Sequence, residues 1–549
     1  MSAGEDEVVC ALGAIGRWQV QLSVLVSLVG LLCGWQVLGV VFLAPPTDHW
    51  CAPPEGTGCG SPGAPGALCT PEQWRAAAVP LELRDGAEAK SQCLAFSWDA
   101  NTVMPEVNVT VPCSAWHYDT TEYTSNLIIE WDLVCEQEWL QMVVKGIYMI
   151  GIMFGVLTWG VFADKYGRRP ALLVCLALNF VCSVATTAST SVEMFLFLRF
   201  SSAFFGIGMY TTGFVMSMEL IGDKWRSLLG ITYCLPLSFG FITLGGMAYL
   251  IRDWRTLQLV TSLPGLLFVS FYWLVPESPR WLLSKGRVSE ARNILESICK
   301  YNGRAPLEKF PEAESSSDEK PPVEEGFLNV LRSPKTAALF LCLFFCWLVN
   351  SMVFYGITLN AGDFGGNIYL NASLGGVVEI PALVTCAYAI YRLGRRAPIS
   401  INMVGAGVAC LLTLAYQKGE YSHDWPIVCL AMMGRFCITA SFSTIYIFTA
   451  EVFPTSVRNT CLASCSVGSR VGGVLAPFLA LLKDAIHPAV PVLLFGGSAI
   501  LSGLSVLLLP ETAGRPLPEV LADLTAPARR RRSDTDEENL SEEASPIDV

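Results

Sequence analysis

Charge is scarce in this sequence. Asp, Glu, Lys and Arg make up 15% of its 549 residues, whereas a soluble globular chain carries about a quarter. Histidine is scarcer still: His49, His117, His423 and His487 all fall in or beside segments that separate long apolar runs. That placement argues against proton coupling through a buried histidine relay. No Gly-rich loop ending in Gly-Lys-Ser or Gly-Lys-Thr occurs, so the phosphate cradle of a common class of nucleotide-driven machines is missing. No cysteine pair with metal-ligand spacing has a histidine nearby, and no nucleophile–base set falls at one helical level. Neither a metal, a cofactor nor enzymatic activity is expected. A cleavable leader is lacking too: Glu5, Asp6 and Glu7 stand where a basic n-region would be, and the first apolar run reads as an anchor that stays.

What the chain has in abundance is apolar length. Hydrophobic residues are 52% of the total, and crossing a bilayer core takes about 20 helical residues. Six runs in the first half meet that need, at Val20–Leu43, Leu140–Phe162, Ala171–Thr187, Val192–Leu220, Leu228–Leu250 and Leu257–Val275. Six more follow at Thr336–Leu359, Tyr369–Ile390, Ile399–Ala415, Trp425–Phe448, Cys461–Leu482 and Val490–Leu509. The expected fold is an all-α, polytopic membrane protein of twelve spans. Its parts are a short N-terminal segment (1–19), a six-helix bundle (20–275), a linker (276–335), a second bundle (336–509) and an acidic tail (510–549).

Lys165, Arg168, Arg169, Lys224, Arg226, Arg392, Arg395, Arg396 and Arg458 all fall in connections on one side, joined by the run Arg529–Arg532 after the last span. The positive-inside rule makes that side cytoplasmic, with both termini inside. Arg252 and Arg255 are exceptions on the opposite face. The net charge of −12 sits in the tail and in the segment between spans one and two, which holds fourteen acids against three bases from Pro45 to Trp139. Nothing suggests nucleic acid; the expected partner at this point is the lipid bilayer, with the chain a monomer.

That first connection (44–139) is Pro- and Gly-rich and holds Cys51, Cys59, Cys69, Cys93, Cys113 and Cys135. An even number of cysteines in an oxidising compartment predicts a disulfide framework, its connectivity open. Asn108-Val109-Thr110 predicts glycosylation at Asn108. A second sequon at Asn371 lies too close to the bilayer to be used.

The chain also repeats itself. Gly167-Arg168-Arg169 recurs as Gly394-Arg395-Arg396, Glu219 and Arg226 recur as Glu451 and Arg458, and Pro276-Glu277-Ser278 recurs as Pro510-Glu511-Thr512. Charged motifs in the same order at the same helix ends indicate two parallel six-helix halves. That organisation resembles the major facilitator transporters, and the resemblance implies a substrate site between the halves near the midplane. A latch is expected from Asp164, Arg168, Arg169, Glu219, Arg226 and Glu277, and from Glu451, Arg458 and Glu511. In the second copy Tyr391 stands where Asp would be, so that latch is expected to be weaker or differently built.

The stretch Gly160-x-x-x-Asp164-Lys165-x-Gly167-Arg168-Arg169 resembles the loop motif of the major facilitator superfamily. Within it the chain resembles solute carrier family 22, the organic ion transporters. The resemblance rests on Asp48-His49-x-Cys51, Glu130-Trp131-Asp132-Leu133-Val134-Cys135, Pro276-Glu277-Ser278-Pro279-Arg280-Trp281-Leu282, Glu379-Ile380-Pro381 and Thr449-Ala450-Glu451-Val452-Phe453-Pro454-Thr455. It implies a small organic ion as the other partner and alternating access at the plasma membrane.

Ionisable groups at membrane depth are costly and mark function. Arg470 and Glu379 lie near mid-bilayer, and a cation and an anion at one depth suit a substrate bearing both charges. The resemblance implies that cation-transporting members carry Asp at the Arg470 position, whereas anion transporters and the carnitine branch carry Arg. Phe442-Ser443-x-x-Tyr446 and Tyr210-x-x-x-Phe214 look most like the carnitine and zwitterion branch. Arg470 is read as the carboxylate partner, with its neutralisation by Glu379 as the structural alternative. Trp347, Phe354, Tyr355, Tyr210, Phe214, Ser443 and Tyr446 are read as the remaining site, the aromatics as a cage for an ammonium group. Arg199 and Arg435 are read as structural. The expected function is transport of a carnitine- or ergothioneine-like zwitterion or cation. The alternatives are an organic anion carrier using Arg470, or a receptor with a transporter fold. Sodium coupling stays open, because carbonyl and hydroxyl ligands leave no sequence pattern.

Overall fold

The computed structural model describes residues 15–53, 71–84, 87–97, 106–304, 327–416, 421–454, 457–513 and 518. Twelve helices in it are long and apolar enough to cross a membrane. In the first half these are α1 (Arg17–Leu43), α2 (Cys135–Tyr166), α3 (Arg168–Ala188), α4 (Val192–Glu219), α5 (Leu229–Leu250) and α6 (Trp254–Leu274). In the second they are α7 (Pro334–Leu359), α8 (Ile368–Leu393), α9 (Arg396–Ala415), α10 (Ser422–Val452), α11 (Thr460–Ala480) and α12 (Ala489–Val506). The third span is longer than its apolar text, because the helix begins at Arg168 and takes Pro170 into its first turn, where proline costs no hydrogen bond.

The two halves have separate cores. Val29, Leu38, Leu172, Phe195 and Phe241 anchor the first; Leu343, Trp347, Ile399, Phe448 and Phe453 anchor the second. Glycine permits the closest helix crossings. A Cβ on Gly472 of α11 would sit 2.1 Å from the Leu348 carbonyl oxygen of α7, and one on Gly407 of α9 would sit 2.6 Å from the Gly496 carbonyl of α12. In lipid, where burial of apolar surface does not drive helices together, such backbone proximity is what association rests on.

The connection between α1 and α2 forms three two-stranded antiparallel sheets. They pair β1 (His49–Cys51) with β6 (Trp116–Tyr118), β2 (Leu81–Arg84) with β3 (Ala87–Lys90), and β4 (Leu94–Ser97) with β5 (Glu106–Pro112). Cys51 is bonded to Cys113 and Cys93 to Cys135. Cys59 and Cys69, the other two of the expected framework, lie outside the described residues, as does the Asn108 side chain. The core of this small domain is Trp74, Ala78, Val79 and Ala95, with the Trp74 Nε1 donating to the Cys51 carbonyl at 3.0 Å. The Asn371 sequon is spent otherwise: its Nδ2 donates to the Gly365 carbonyl at 2.8 Å and the residue is buried.

Arg255, on the side of this domain, is tied down. It pairs with Glu130, donates to the Ser189 carbonyl at 2.8 Å and lies 4.4 Å over the Trp254 ring. Trp254 Nε1 donates to the same Glu130 at 2.8 Å.

Candidate functional site

Glu379 and Arg435 meet inside the membrane. Arg435 Nη2 donates to Glu379 Oε1 at 2.5 Å, and both side chains are 4% exposed. Arg435 also donates to Thr358 Oγ1 on α7 and, at 3.2 Å, to the Gly375 carbonyl on α8. The other Glu379 oxygen accepts from Ser238 Oγ of α5 at 2.7 Å, a hydrogen bond that crosses between the halves. This corrects the alternative that Glu379 neutralises Arg470. The carboxylate is consumed, because an unpaired charge at this depth is far costlier than a paired one.

Arg470 is left without a counter-ion. It lies ten residues from either end of α11, at about 15 Å depth for a rise of 1.5 Å per residue. Among the described residues no carboxylate pairs with it, and its Nε is buried without a hydrogen-bond partner. One turn on from it, a Cβ on Gly473 would sit 3.0 Å from the Tyr355 ring. Tyr355 in turn packs on Phe354, which lies 5.0 Å from the Arg435 guanidinium carbon.

The predicted aromatics form two groups rather than one. Trp347 and Tyr446 have ring centroids 4.3 Å apart, and Phe442 contacts Trp347, Tyr446 and Phe354 at 6.0, 5.6 and 6.1 Å. Phe354 contacts Tyr355 at 5.3 Å and lies 5.0 Å from the Arg435 guanidinium carbon. Tyr210 and Phe214 instead pack on Tyr233, at 5.1 and 5.3 Å, within the first half. Trp347 is fully buried, with its Nε1 donating to Thr449 Oγ1 at 2.9 Å, so it backs the wall instead of facing the cavity. Tyr446, at 38% exposure, is the open face. Ser443 Oγ donates to the Thr439 carbonyl on its own helix at 3.1 Å. Sequence reasoning missed Phe442 and Tyr233 as members of these groups. The spacing of Phe442 four residues before Tyr446 was the available signal.

Arg199, the counterpart of Arg435 in α4, has no carboxylate partner among the described residues. It is fully buried, donates to Gln36 Oε1 at 2.8 Å and to the Gln36 carbonyl, and stacks 4.6 Å over Tyr148. The structural reading of both arginines holds in geometry, but by different partners.

On the opposite side of the membrane from the disulfide domain, the repeated motifs build the same object twice. Arg168 donates to Glu219 Oε1 at 2.9 and 3.1 Å, and Arg395 donates to Glu451 Oε1 at the same two distances. Glu277 Oε1 accepts from the backbone N–H groups of Arg168 and Arg169 at 2.9 and 3.1 Å. Glu511 accepts from those of Arg395 and Arg396 at 3.0 and 3.1 Å. Each carboxylate thus caps a helix N-terminus, where orphan donors and the helix dipole favour an anion. Gly167 and Gly394, at φ 113° and 82°, make the turn that allows it. The Arg169 guanidinium lies 5.4 Å over Tyr272.

Glu451 pairs with Arg395, while the chain leaves the helix at Phe453 and carries Arg458 into the next one, where it donates to the Phe453 carbonyl at 3.2 Å. The second latch keeps the Arg–Glu pair and is built without the Asp164 contact to Arg168, 2.8 Å in the first copy. Tyr391 in its place is 84% exposed. The Arg226 side chain lies outside the described residues.

The one described group with metal-ligand proximity, His49 with Cys93 and Cys135, contains a disulfide, so its thiolates are not available as ligands.

Residues 95–524 match the family model described as sugar (and other) transporter. The chain is 34% identical over 531 residues to the organic cation transporter protein of Drosophila melanogaster, covering 95% of this chain and 94% of that one. It is 33% identical to solute carrier family 22 member 3 of Mus musculus, covering 94% and 95%. With the organic cation/carnitine transporter 2 of Rattus norvegicus it shares 30% identity over 94% and 93% of the two chains. The fold matches a partially occluded inward-open structure of the xylose transporter XylE from E. coli, with a TM-score of 0.59 at 16% identity over 91% and 100% of the chains. These relatives are transporters, not enzymes, and twelve spans with two repeated halves make this a multi-pass membrane protein. The chain belongs to solute carrier family 22 of the major facilitator superfamily.

Proposed function

We propose that the protein carries a small organic zwitterion, carnitine- or ergothioneine-like, across the plasma membrane by alternating access, with both termini cytoplasmic. The observation that carries this reading is the contrast between two mid-membrane cations. Arg435 has its carboxylate and Arg470 has none, which leaves the planar fork of Arg470 for a substrate carboxylate. Phe354, Tyr355, Phe442 and Tyr446, which pack on one another, supply ring faces for an ammonium group. Arg470 alone would equally suit a plain organic anion; the aromatic wall is what favours the zwitterion.

Uptake of labelled carnitine, ergothioneine, a simple cation and a dicarboxylate, each with and without sodium, tests the reading. Native protein should prefer a zwitterion, and Arg470→Asp should move the preference towards the simple cation. A variant that reaches the surface and takes up the zwitterion unchanged would show that Arg470 is not the partner. Preference for the dicarboxylate would establish the anion reading instead. Binding without uptake of any compound would favour a receptor.

A further inference from the structure

We propose that Tyr369 is a plug that closes the site on the side of the disulfide domain, and that this domain itself supplies part of its socket. Tyr369 opens α8, in the second half. Its ring lies parallel to Phe42 of α1, with centroids 5.6 Å apart and planes 4° apart. It meets Tyr249 at the end of α5 edge-on at 5.6 Å. The third wall is Tyr123, at 6.2 Å, which belongs to the connection between α1 and α2 and is 6% exposed.

The segment bearing Tyr123 is bound to the first half. Thr124 N–H donates to the Arg252 carbonyl at 3.1 Å, Ser125 bridges to Asp253, and Asn126 Nδ2 donates to Thr47 Oγ1 at 2.9 Å. The disulfide domain therefore moves with α1, α5 and α6, and Tyr369 is the part that arrives from the other half. The rest of the seam agrees. A Cβ on Gly245 would sit 2.7 Å from the Tyr369 carbonyl, and one on Gly376 would sit 2.7 Å from the Ser238 carbonyl. The latch pairs, on the far side, stay within their own halves. The halves are thus shut at the disulfide domain, and opening there must draw Tyr369 out of its socket. That assigns the domain a role in the transport cycle beyond folding and delivery, whatever the substrate is.

The test is a cross-link between the halves. A Cβ on Gly362, just after α7, would sit 3.4 Å from Pro46, just after α1. Pro46→Cys with Gly362→Cys in the full-length protein should bond under mild oxidation and stall uptake. Adding Tyr369→Ala should cut the yield of that cross-link roughly tenfold, since each aromatic contact favours the closed form. Tyr123→Ala should cut it severalfold, and Tyr369→Phe should leave it near the starting level. Intact Cys51–Cys113 and Cys93–Cys135 bridges, checked by mass spectrometry, guard against misfolding. An unchanged yield with Tyr369→Ala would overturn the plug. A drop with Tyr369→Ala but none with Tyr123→Ala would overturn the part assigned to the disulfide domain.

Discussion

Glu379→Gln should destabilise the protein far more than a typical substitution does. The change keeps shape and removes charge, so it leaves Arg435, 3% exposed, buried without its counter-ion. Breaking one partner of such a pair costs about 3–5 kcal/mol. The remaining Arg435 contacts, to Thr358 Oγ1 and the Gly375 carbonyl, are to neutral oxygens and offset little of that. Replacing both members, as in Glu379→Leu with Arg435→Met, should recover most of the loss, because two well-packed apolar residues substitute for a desolvated pair at little net cost. Thermal unfolding of the purified protein in lipid nanodiscs, followed by tryptophan fluorescence, measures all three variants. Single variants that unfold with the native protein, or a double variant less stable than either single, would refute the reasoning. The same proteins separate structure from chemistry. If the pair is scaffold, the double variant regains substrate binding along with stability. If Glu379 touches substrate, stability returns and binding does not.

Asp164→Asn and Arg168→Gln should change turnover while leaving substrate affinity near the native value, since the pairs at 2.8 and 2.9 Å lie at the latch and not at mid-depth. Loss of binding at a normal cycling rate would contradict this. Gly472→Val should abolish surface expression, because its Cβ position lies 2.1 Å from the Leu348 carbonyl, whereas Gly497→Ala, with nothing within 4 Å, should be silent. For Glu511, burial acts to raise the carboxyl, but backbone donors at Arg395, Ala513, Arg396 and Thr512 outweigh it and hold it below the ordinary range. Its stabilising contribution is then complete above the usual glutamate value of about 4.3 and fades as pH falls through its own lower one. The stability gap between native protein and Glu511→Gln should therefore narrow on acidification; a gap that widens would refute the capping role. Cys51→Ser should cost roughly 2–4 kcal/mol through the freed connection and trap the protein inside the cell, read by surface biotinylation.

The spans were legible because a bilayer imposes one length on every crossing, and the repeated charges at their ends fixed the two halves. The pairing of charges was not. Glu379, Arg435 and Arg470 fall at similar depths on three different spans, and the text along each span says nothing about which faces which. At Glu451 the partner is Arg395, 56 residues away, although Arg458 is seven residues away. The repeat held the remedy: a pair between Gly167-Arg168-Arg169 and Glu219 implies the same pair between Gly394-Arg395-Arg396 and Glu451. The aromatic sockets were hidden for a related reason. Tyr123, Tyr249 and Tyr369 lie in three separate segments, and each alone reads as an interfacial tyrosine.

The fixed charges inside the bundles bear on substrate class independently of any single contact. Within the described spans, away from their ends, Lys145, Arg199, Arg435 and Arg470 stand against one carboxylate, Glu379. Arg435 and Glu379 cancel, and Arg199 is solvated by the two Gln36 oxygens and the Tyr148 ring. The surplus near the midplane is therefore positive, and Arg470 lies one turn before Gly473, whose Cβ position is 3.0 Å from the Tyr355 ring. At an effective dielectric of about 20, a unit charge 4 Å from another gains or loses about 4 kcal/mol. A substrate bearing only an ammonium group would carry that penalty beside Arg470. One that also bears a carboxylate turns it into attraction and can still place its ammonium against Phe354 and Tyr446. On the proposed reading, a chain 34% identical to an organic cation transporter would keep the family scaffold and differ in the charge it offers at position 470.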